Sequence, residues 1–380
     1  MRTVDAAGLK IGDDYPPRIM GVLNVSNESP YKPSVFNDPT EAAEYVDRTL
    51  IDEGADIVDI GLESANKRLD VLSADEELER LDTALSVLDH VSGDAVFSIE
   101  TRYHEVAEAA LENGFDMVND ICGFADPEMP RVCEEYDAAV AKMASPPDLT
   151  RPGAIEEVDD IYDALELNGF TDKTIVDPAF GGWSEAKTLA QDRETFDRLR
   201  EFRGYGYPIL VSINRKNFLR DVAGRSTEDA LPVSLAATSM AVERGAHIVR
   251  THDVQETRDA ALVGHEFKRR RVREPGDVSV EELDVTTPGE ARRHLDRLGA
   301  RNDVADECVT HVFELEGLSD EEREKLAGVA GDAGAIFVSA ETGGLLVGTP
   351  AALGRISGLV NEASDALEGA FDTIERSLHR

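Results

Sequence analysis

The sequence contains eight short apolar runs, and amphipathic segments with helical periodicity separate them. The runs are rich in β-branched residues and too apolar to alternate, which is typical of strands buried on both faces of a parallel sheet. Eight such strand and helix units predict an α/β fold, a closed (β/α)8 TIM barrel. The runs occupy residues 18–24, 56–60, 96–100, 117–120, 138–142, 174–177, 209–212 and 248–250.

A doubly wound open sheet is the main alternative, because it also alternates strands with helices. The number of runs and the lack of a glycine-rich dinucleotide loop after the first run favour the barrel. The pattern ends at about residue 270, where a basic run is followed by Glu274-Pro275-Gly276-Asp277. We therefore expect a barrel domain over residues 1–270 and a second domain over residues 271–380.

The second domain reads as a small α+β accessory domain, ferredoxin-like in its order of elements. Residues 310–315 alternate polar and apolar side chains, which predicts a sheet with one solvated face. A hairpin turn is expected at residues 341–344. The predicted strands cover residues 278–285, 311–315, 335–338 and 344–348, and the predicted helices cover 288–298, 319–333 and 351–368.

The chain is strongly acidic, with 77 acidic and 39 basic residues and a net charge of −38. This charge opposes binding to phosphate backbones, so no nucleic acid partner is expected. Because 41% of the residues are hydrophobic, the charge is better explained by a solvated surface than by disorder. Such a surface suits a halophilic cytosol, since the Debye length falls to about 3 Å at 1 M salt.

The cysteines also bear on the compartment. Cys122, Cys133 and Cys308 have no metal-binding spacing and cannot all pair, which suits a reducing environment. The N-terminal residues do not resemble a signal peptide, and no apolar run is long enough to cross a membrane. We expect a cytoplasmic protein with no membrane partner.

In a (β/α)8 barrel the active site lies at the carboxyl ends of the strands. An amide, a carboxylate and an ammonium group from Asn119, Asp177 and Lys216 suit recognition of a flat heterocycle with alternating donors and acceptors. A second set, Asn24, Arg215, Arg250 and His252, forms a cationic rim suited to a phosphate and a hard cation. The full set of polar strand ends is Asn24, Glu63, Ser64, Glu100, Thr101, Asn119, Asp120, Lys142, Asp177, Asn214, Arg215, Lys216, Arg250, His252 and Asp253.

A simpler interpretation is that some of these side chains pair with one another, Arg250 with Asp253 for example, or cap the following helices. For any single residue this interpretation is as good as a role in the site, but it does not account for the whole set.

Six segments resemble the dihydropteroate synthase family, in the form of a halophilic archaeal type with a C-terminal extension. They occur in the family's order over about residues 18–265. The segments are MGVLNVS at 20–26, GADIVDIGLES at 54–64, VNDICG at 118–123, DPAFG at 177–181, NRKNF at 214–218 and GAHIVRTHDV at 245–254.

The resemblance implies a transferase that joins a 6-hydroxymethyl-dihydropterin diphosphate to p-aminobenzoate, with release of diphosphate, in folate biosynthesis. By position, Glu100, Asn119, Asp177 and Lys216 would hold the pterin, and Asn24, Arg250 and His252 would hold the diphosphate. Asn24 would also be a ligand of Mg²⁺. The catalytic group would be Asp177, Lys216, Arg250 and His252. A homodimer is expected by analogy alone.

Three departures from the family pattern concern the acceptor side and the pterin edge. The loop after the first strand reads VSNESPYKP at 25–33, and SANKR at 64–68 replaces the family's Ser-Thr-Arg-Pro-Gly. Glu100 stands where the family has aspartate. A related arylamine as acceptor, a pterin-dependent methyltransferase and a non-catalytic pterin-binding paralogue are therefore kept as alternatives.

Overall fold

The computed structural model describes residues 1–26, 32–36, 38–64, 71–150, 153–181, 187–274, 277–360 and 364–378. The chain divides into two compact units, Met1–Arg270 and Arg271–Arg380. Of the altered loops at 25–33 and 64–68, residues 27–31 and 65–68 lie outside the described residues.

The first unit is the predicted TIM barrel. Its eight strands form one sheet in the order of the chain, in which the last strand pairs with the first and the sixth and seventh are the end strands, and these pairings are all parallel. A parallel bridge between Val176 and Ile209 joins the two end strands, so the open doubly wound alternative is wrong. The strands are β3 (Arg18–Asn24), β4 (Ile57–Gly61), β5 (Val96–Thr101), β6 (Met117–Asp120), β7 (Ala139–Met143), β8 (Thr174–Asp177), β9 (Leu210–Val211) and β10 (Ile248–Thr251).

Alternate residues of each strand face opposite sides of the barrel wall. One set packs against the helices in the main apolar core, as Val58, Val118 and Val249 do. The other set forms a separate apolar cluster to which every barrel strand contributes. That inner cluster contains Met20, Ile57, Val96, Met117, Ala139, Ala141, Ile175, Leu210 and Ile248.

A hairpin that the sequence analysis missed completes the inner cluster. Strands β1 (Val4–Ala6) and β2 (Leu9–Ile11) pair antiparallel, and Val4, Ala6 and Ile11 join the inner cluster. Each strand is only three residues long, which is too short for a periodicity to be recognised. The hairpin therefore extends the apolar interior below the strands.

The outer layer consists of helices, some of which begin with a side-chain cap. Ser73 and Glu76 form a capping box at the start of α2, and the Asp38 side chain accepts hydrogen bonds from two backbone amides of α1. Helix α1 continues into a wider π-helical segment, Val46–Ile51. The helices are α1 (Pro39–Tyr45), α2 (Ala74–Leu88), α3 (His104–Glu112), α4 (Met129–Glu135), α5 (Val158–Glu166), α6 (Leu189–Asp197), α7 (Asn217–Ala223), α8 (Leu231–Glu243) and α9 (Val254–Phe267).

The second unit contains a three-stranded antiparallel sheet of order β13-β15-β14. Its first five regular elements after α10 follow the order β-α-β-β-α, which is that of a ferredoxin-like fold without its last strand. Three helices supply its apolar core through Leu326, Ile356 and Phe371. The elements are α10 (Pro288–Arg297), β13 (His311–Glu316), α11 (Asp320–Ala333), β14 (Ile336–Ser339), β15 (Gly343–Gly348), α12 (Pro350–Val360) and α13 (Asp365–Leu378).

Two predictions for this unit were wrong in extent. The helix expected over 351–368 is two helices, because the Ser364 hydroxyl accepts a hydrogen bond from the Leu367 amide and starts a new helix. The strand expected over 278–285 is only β12 (Val280–Glu281), paired with β11 (Arg273–Glu274). Its β-branched Val278 and Val280 are exposed, so no buried face extends it. The turn expected at 341–344 does link β14 to β15.

Two further expectations can be compared with the described residues. No helix among them is long and apolar enough to cross a membrane. All three cysteines are free thiols; Cys122 and Cys133 are buried and Cys308 is exposed.

The packing of α8 against α9 depends on a glycine, and it yields the first prediction. A Cβ atom at Gly264 of α9 would lie 2.4 Å from the Ser239 carbonyl oxygen of α8, which is backbone and cannot turn away. We expect Gly264→Ala to lower the free energy of unfolding by about 2 kcal/mol, as overpacking of a core does. Thermal unfolding followed by circular dichroism measures this change.

The control is Gly328→Ala in α11, where the added Cβ would meet no atom within 4 Å. There the better helix propensity of alanine should stabilise the unit by up to about 1 kcal/mol. Equal effects of the two substitutions would contradict the close helix contact.

Candidate active site

The barrel mouth is the end of the barrel at which the strands have their carboxyl ends. The polar side chains there face the same side of the barrel wall as the inner apolar cluster. Counting two residues onward from an inner apolar residue on five of the strands reaches a polar one in each case. Counting two further on β4, β5 and β10 reaches Gly61, Glu100 and His252, and Asn24 lies four residues beyond Met20 on β3. The inner polar layer contains Asp59, Ser98, Asn119, Asp177 and Arg250. The apolar floor therefore gives way to polar groups toward the carboxyl ends of the strands.

Arg250 lies at the centre of this layer and binds two carboxylates. Its Nε donates to Asp59 Oδ2 at 2.7 Å, and its Nη2 donates to Glu100 Oε2 at 2.6 Å. Asn119 Nδ2 donates to the same Asp59 oxygen at 2.9 Å. The residues that the resemblance divides between pterin and diphosphate thus form one hydrogen-bonded group.

The Arg250–Asp253 pairing considered from the sequence is wrong. Asp253 accepts instead from Arg215, through Nε and Nη2 at 2.8 Å each. Arg215 also donates to the backbone carbonyls of Thr227 and Glu228. Its guanidinium therefore connects the loop after β9 with the segment between α7 and α8 and with the end of β10, which corrects the expectation that it belongs to a cationic rim with Arg250.

Asp177 ends β8 in a tight turn. Its Oδ1 accepts from the Ala179 amide at 2.8 Å, the pattern of an Asx turn. Burial raises the pKa of Asp177 to about 6, although the amide of Ala179 and the charge of Lys216 oppose the shift. A buried carboxylate with a raised pKa is common at functional sites.

Lys216 reaches the same turn from the loop after β9. Its Nζ donates to the carbonyl oxygens of Phe180 at 3.1 Å and Gly181 at 3.2 Å. Burial lowers the pKa of Lys216, while the charge of Asp177 raises it. The ammonium group is therefore held by backbone oxygens beside the Asp177 carboxylate.

Asn24 and Glu100 direct oxygen atoms toward Gly61. Asn24 Nδ2 donates to Ser34 Oγ at 3.2 Å, which turns the Asn24 Oδ1 atom away from Ser34. A Cβ atom at Gly61 would lie 3.0 Å from that Oδ1 and 3.6 Å from Glu100 Oε1. Amide and carboxylate oxygens are suitable ligands for Mg²⁺, so the donor set fits a hard cation.

His252 comes directly after β10 and two residues after Arg250, so the two side chains face the same side of the barrel wall. Burial lowers the pKa of His252 to about 3, and the nearby Arg250 charge adds to this shift. The imidazole is neutral at physiological pH, so the positive charge of this rim comes from Arg250 rather than from His252.

Three strand-end residues have the opposite phase and lie outside the barrel interior. Lys142 Nζ donates to the carbonyls of Leu167 at 2.6 Å and Gly169 at 2.7 Å. Asp120 accepts from two backbone amides of its own loop, and the Thr101 hydroxyl donates to Glu77. Their expected place in the mouth was wrong, because a strand end alone does not tell which face a side chain occupies.

Arg102 was missed by the sequence analysis. Its side chain is fully buried, and its Nη1 lies 2.6 Å from Glu63 Oε2. Its Nη2 donates to the Leu72 carbonyl at 3.0 Å and lies 3.8 Å from Glu77. Arg102 thus ties the end of β4 to the start of α2. A charged residue just past the strand gives no sequence signal for such burial.

Comparison with known sequences finds one matching family. Residues 20–252 match the family described as pterin binding enzyme. A probable bifunctional folylpolyglutamate synthase/dihydropteroate synthase of Haloferax volcanii is 36% identical over 260 residues, which are 64% of this chain and 30% of that protein. The chain thus spans less than a third of the length of this relative. The dihydropteroate synthase of Clostridium beijerinckii is 30% identical over 259 residues, 66% of this chain and 94% of that protein.

Solved structures give the same result. A dihydropteroate synthase of Coxiella burnetii, in complex with pteroic acid, has a TM-score of 0.59 and 29% identity, covering 70% of this chain and 99% of its own. The Thermus thermophilus enzyme in complex with 4-aminobenzoate has a TM-score of 0.57 and 28% identity, covering 70% of this chain and 100% of its own.

The raised pKa of Asp177 predicts a cost to stability. In the folded state its pKa is about 6, above the ordinary unfolded value of about 4, so the native carboxyl holds its proton more tightly. The resulting destabilisation is absent below about pH 4 and complete above about pH 6. We expect Asp177→Asn to raise the free energy of unfolding at pH 7 by roughly 2–3 kcal/mol and to have little effect near pH 4.

Chemical unfolding at constant salt, at both pH values, measures the difference. Asp82→Asn on the exposed face of α2 is the matched control and should change stability by no more than about 0.5 kcal/mol at either pH. If Asp177→Asn instead lowers the free energy of unfolding at pH 7, the prediction is wrong. The carboxylate would then be stabilised in the native state by its hydrogen bonds and neighbouring charges.

Proposed function

Because the chain belongs to the family of pterin binding enzymes, we propose that it is a dihydropteroate synthase-type transferase of folate biosynthesis. It joins a 6-hydroxymethyl-dihydropterin diphosphate to p-aminobenzoate or a related arylamine and releases diphosphate. The observation that carries this proposal is the joint placement of a heterocycle-binding set and an arginine at one barrel mouth. The pteroic acid and 4-aminobenzoate complexes of structural relatives support the two substrates.

Asn119, Asp177 and Lys216 hold the pterin ring in this proposal. Asp177 accepts hydrogen bonds from the ring N–H groups, and Lys216 donates to a ring oxygen or nitrogen. Burial makes these contacts strong and selective, because a ligand lacking the matching groups leaves a buried charge unsatisfied. Glu100 is assigned to the edge of the pterin in this proposal.

Arg250, His252 and Asn24 face the diphosphate. Arg250 supplies charge, and the neutral His252 supplies a hydrogen bond. Asn24 Oδ1, with Glu100 beside it, is the group that would hold a Mg²⁺ ion. Bound there with the diphosphate oxygens, Mg²⁺ would neutralise negative charge on the leaving group.

The reaction breaks the C–O bond between the pterin methylene and the diphosphate and forms a C–N bond to the arylamine. The bonding electrons leave with the diphosphate, and the amine nitrogen loses one proton to solvent. The Asp177 carboxylate stabilises the positive charge that develops on the pterin-methyl group, while Arg250 stabilises the departing anion. Binding places the amine for attack.

The set around Arg250 also favours a diphosphate-releasing enzyme over a pterin-dependent methyltransferase. A methyltransferase releases no diphosphate, so the Arg250, His252 and Asn24 group would have no anion to bind. The segments at 25–33 and 64–68 carry departures from the family pattern. Because this proposal assigns them to the acceptor side, the arylamine is proposed only as a class.

We also propose a salt-rich cytoplasm as the working environment. The net charge of −38, the three free thiols and the relatives from Haloferax volcanii and Halobacterium salinarum support this environment. A homodimer is proposed by analogy, and light scattering in high salt tests it.

The activity proposal is tested with purified protein, Mg²⁺, the pterin diphosphate and p-aminobenzoate in molar salt, by following pyrophosphate release. We expect turnover, and we expect Asp177→Ala and Lys216→Ala each to lower kcat by about 100-fold or more while the barrel stays folded. Arg250→Ala should raise KM for the diphosphate substrate by about tenfold.

Circular dichroism on each variant separates loss of function from loss of fold, and Asp82→Asn serves as the active control. Wild-type protein that binds a pterin but gives no turnover with any arylamine would refute the transferase and leave the non-catalytic paralogue. Full activity of Asp177→Ala would refute the assignment of the ring-binding set.

The acidic surface predicts dependence on salt. At low ionic strength the carboxylates repel one another, because the Debye length lengthens from about 3 Å at 1 M salt to about 30 Å at 0.01 M. We expect the melting temperature to fall by at least about 10 °C between 3 M and 0.1 M potassium chloride, a drop of a few kcal/mol. Sucrose at matched osmolality should not restore it, and an unchanged melting temperature would refute the halophilic environment.

A further inference from the structure

Asp59 lies in the middle of β4 and is fully buried. It occupies the inner polar layer, two residues beyond Ile57 of the apolar floor. One of its oxygens, Oδ2, accepts from both Asn119 and Arg250. Its other oxygen, Oδ1, is buried and has no hydrogen-bond partner among the described residues. A buried carboxylate with a bare oxygen costs folding free energy, so its presence calls for a reason other than stability.

Asp59 determines which way the Asn119 amide points. A carboxylate can only accept hydrogen bonds, so the Asn119 atom that faces Asp59 must be its NH2 group. Asn119 Oδ1 is thereby turned away from Asp59 and presented as an acceptor. An amide held in this way recognises an N–H group of a ligand and rejects a ligand atom that offers a lone pair.

Asp59 also fixes the Arg250 guanidinium. Its contact with Nε at 2.7 Å and the Glu100 contact with Nη2 at 2.6 Å hold two edges of the guanidinium plane. Two fixed edges leave the plane little freedom to rotate. An arginine with a fixed plane can bind phosphate oxygens with less loss of entropy than a mobile one.

We propose that Asp59 is a positioning residue that couples the two halves of the mouth, setting the Asn119 amide for a pterin ring and the Arg250 guanidinium for a diphosphate. This inference rests on the proposed function, and it concerns a residue that lies behind both binding groups. Since one oxygen atom serves both partners, a change at Asp59 alters both half-sites at once.

The experiment measures binding of 6-hydroxymethylpterin and of inorganic pyrophosphate with Mg²⁺, each by titration calorimetry in high salt. Asp59→Asn keeps the size of the side chain, removes its charge and lets the amides at 59 and 119 pair in either orientation. We expect it to weaken both ligands by about tenfold, the effect of one charge-assisted hydrogen bond.

Double-mutant cycles separate positioning from a general loss of structure. On an Asn119→Ala background, Asp59→Asn should no longer affect pterin affinity, while its effect on pyrophosphate should persist. On an Arg250→Ala background the reverse is expected. Additive effects on pterin affinity on the Asn119→Ala background, additive effects on pyrophosphate affinity on the Arg250→Ala background, or loss of only one ligand from the single variant would overturn the coupling role.

The matched control is Asp56→Asn, three residues earlier in the chain. Asp56 accepts from the Ile19 amide at 2.9 Å and from Arg18 at 3.3 Å, at the opposite end of the strands from the mouth. It should leave both affinities unchanged. If the Asp59→Asn protein does not fold, the Asn119→Ala variant tests the coupling instead. We expect Asn119→Ala to weaken pyrophosphate binding by about threefold, because its effect reaches Arg250 through Asp59. An unchanged affinity for pyrophosphate would refute the coupling.

Turnover by the wild-type protein and the mutant cycles together distinguish the failure of one proposal from the failure of the other. Absence of pyrophosphate release in the turnover assay, with both ligands still bound and coupled, would refute the transferase and leave the role of Asp59 intact. Normal turnover with additive cycles would refute the role of Asp59 and leave the transferase intact.

Discussion

The closure of eight parallel strands is the constraint on which the rest of the barrel depends. Once the sheet is closed, alternate residues of every strand must face an interior that water does not fill. At one end Met20, Ile57 and Ile248 fill that interior. Two residues further along these strands stand Val22, Asp59 and Arg250. The same alternation that builds the apolar floor therefore also places Asp59 and Arg250 above it, whereas Lys216 reaches the site from the loop after β9.

Charge balance in the mouth follows from this burial. Arg250 is one cation between the carboxylates of Asp59 and Glu100, while Asp177 and Lys216 lie near each other with pKa shifts in opposite directions, both caused by burial. Removing Arg250 would leave the carboxylates of Asp59 and Glu100 buried without their cation, which is more costly than the pairs themselves are stabilising. A polar ligand that hydrogen-bonds to these buried groups therefore offsets part of the cost of their desolvation.

The sequence predicts most of the barrel because buried parallel strands leave a clear apolar signal. It points to Asn119, Asp177, Lys216 and Arg250 because they lie at the ends of such runs or a few residues after them. The sequence analysis does not predict Asp59, because this residue lies inside an apolar run. It can be recognised as an inward-facing residue only because it is two residues beyond Ile57, which belongs to the inner apolar cluster. The same neglect of phase misplaced Lys142, which faces the helices. The partner of Arg250 was also out of reach, since Asp59 is 191 residues away in the chain and no local pattern encodes that contact.

Glu100 shows how a small departure changes the use of a position. The resemblance gives aspartate here and a role at the edge of the pterin. The additional methylene of glutamate carries Oε2 to Arg250 at 2.6 Å and brings Oε1 near Gly61, on the side of Asn24 Oδ1. Because one carboxylate contacts the guanidinium and lies on the side of the amide that is proposed to hold a cation, it acts on the half of the mouth proposed to bind the diphosphate. A shorter side chain from the same Cα would reach less far toward Arg250, so the lengthened residue strengthens the connection between the two halves that Asp59 establishes from below.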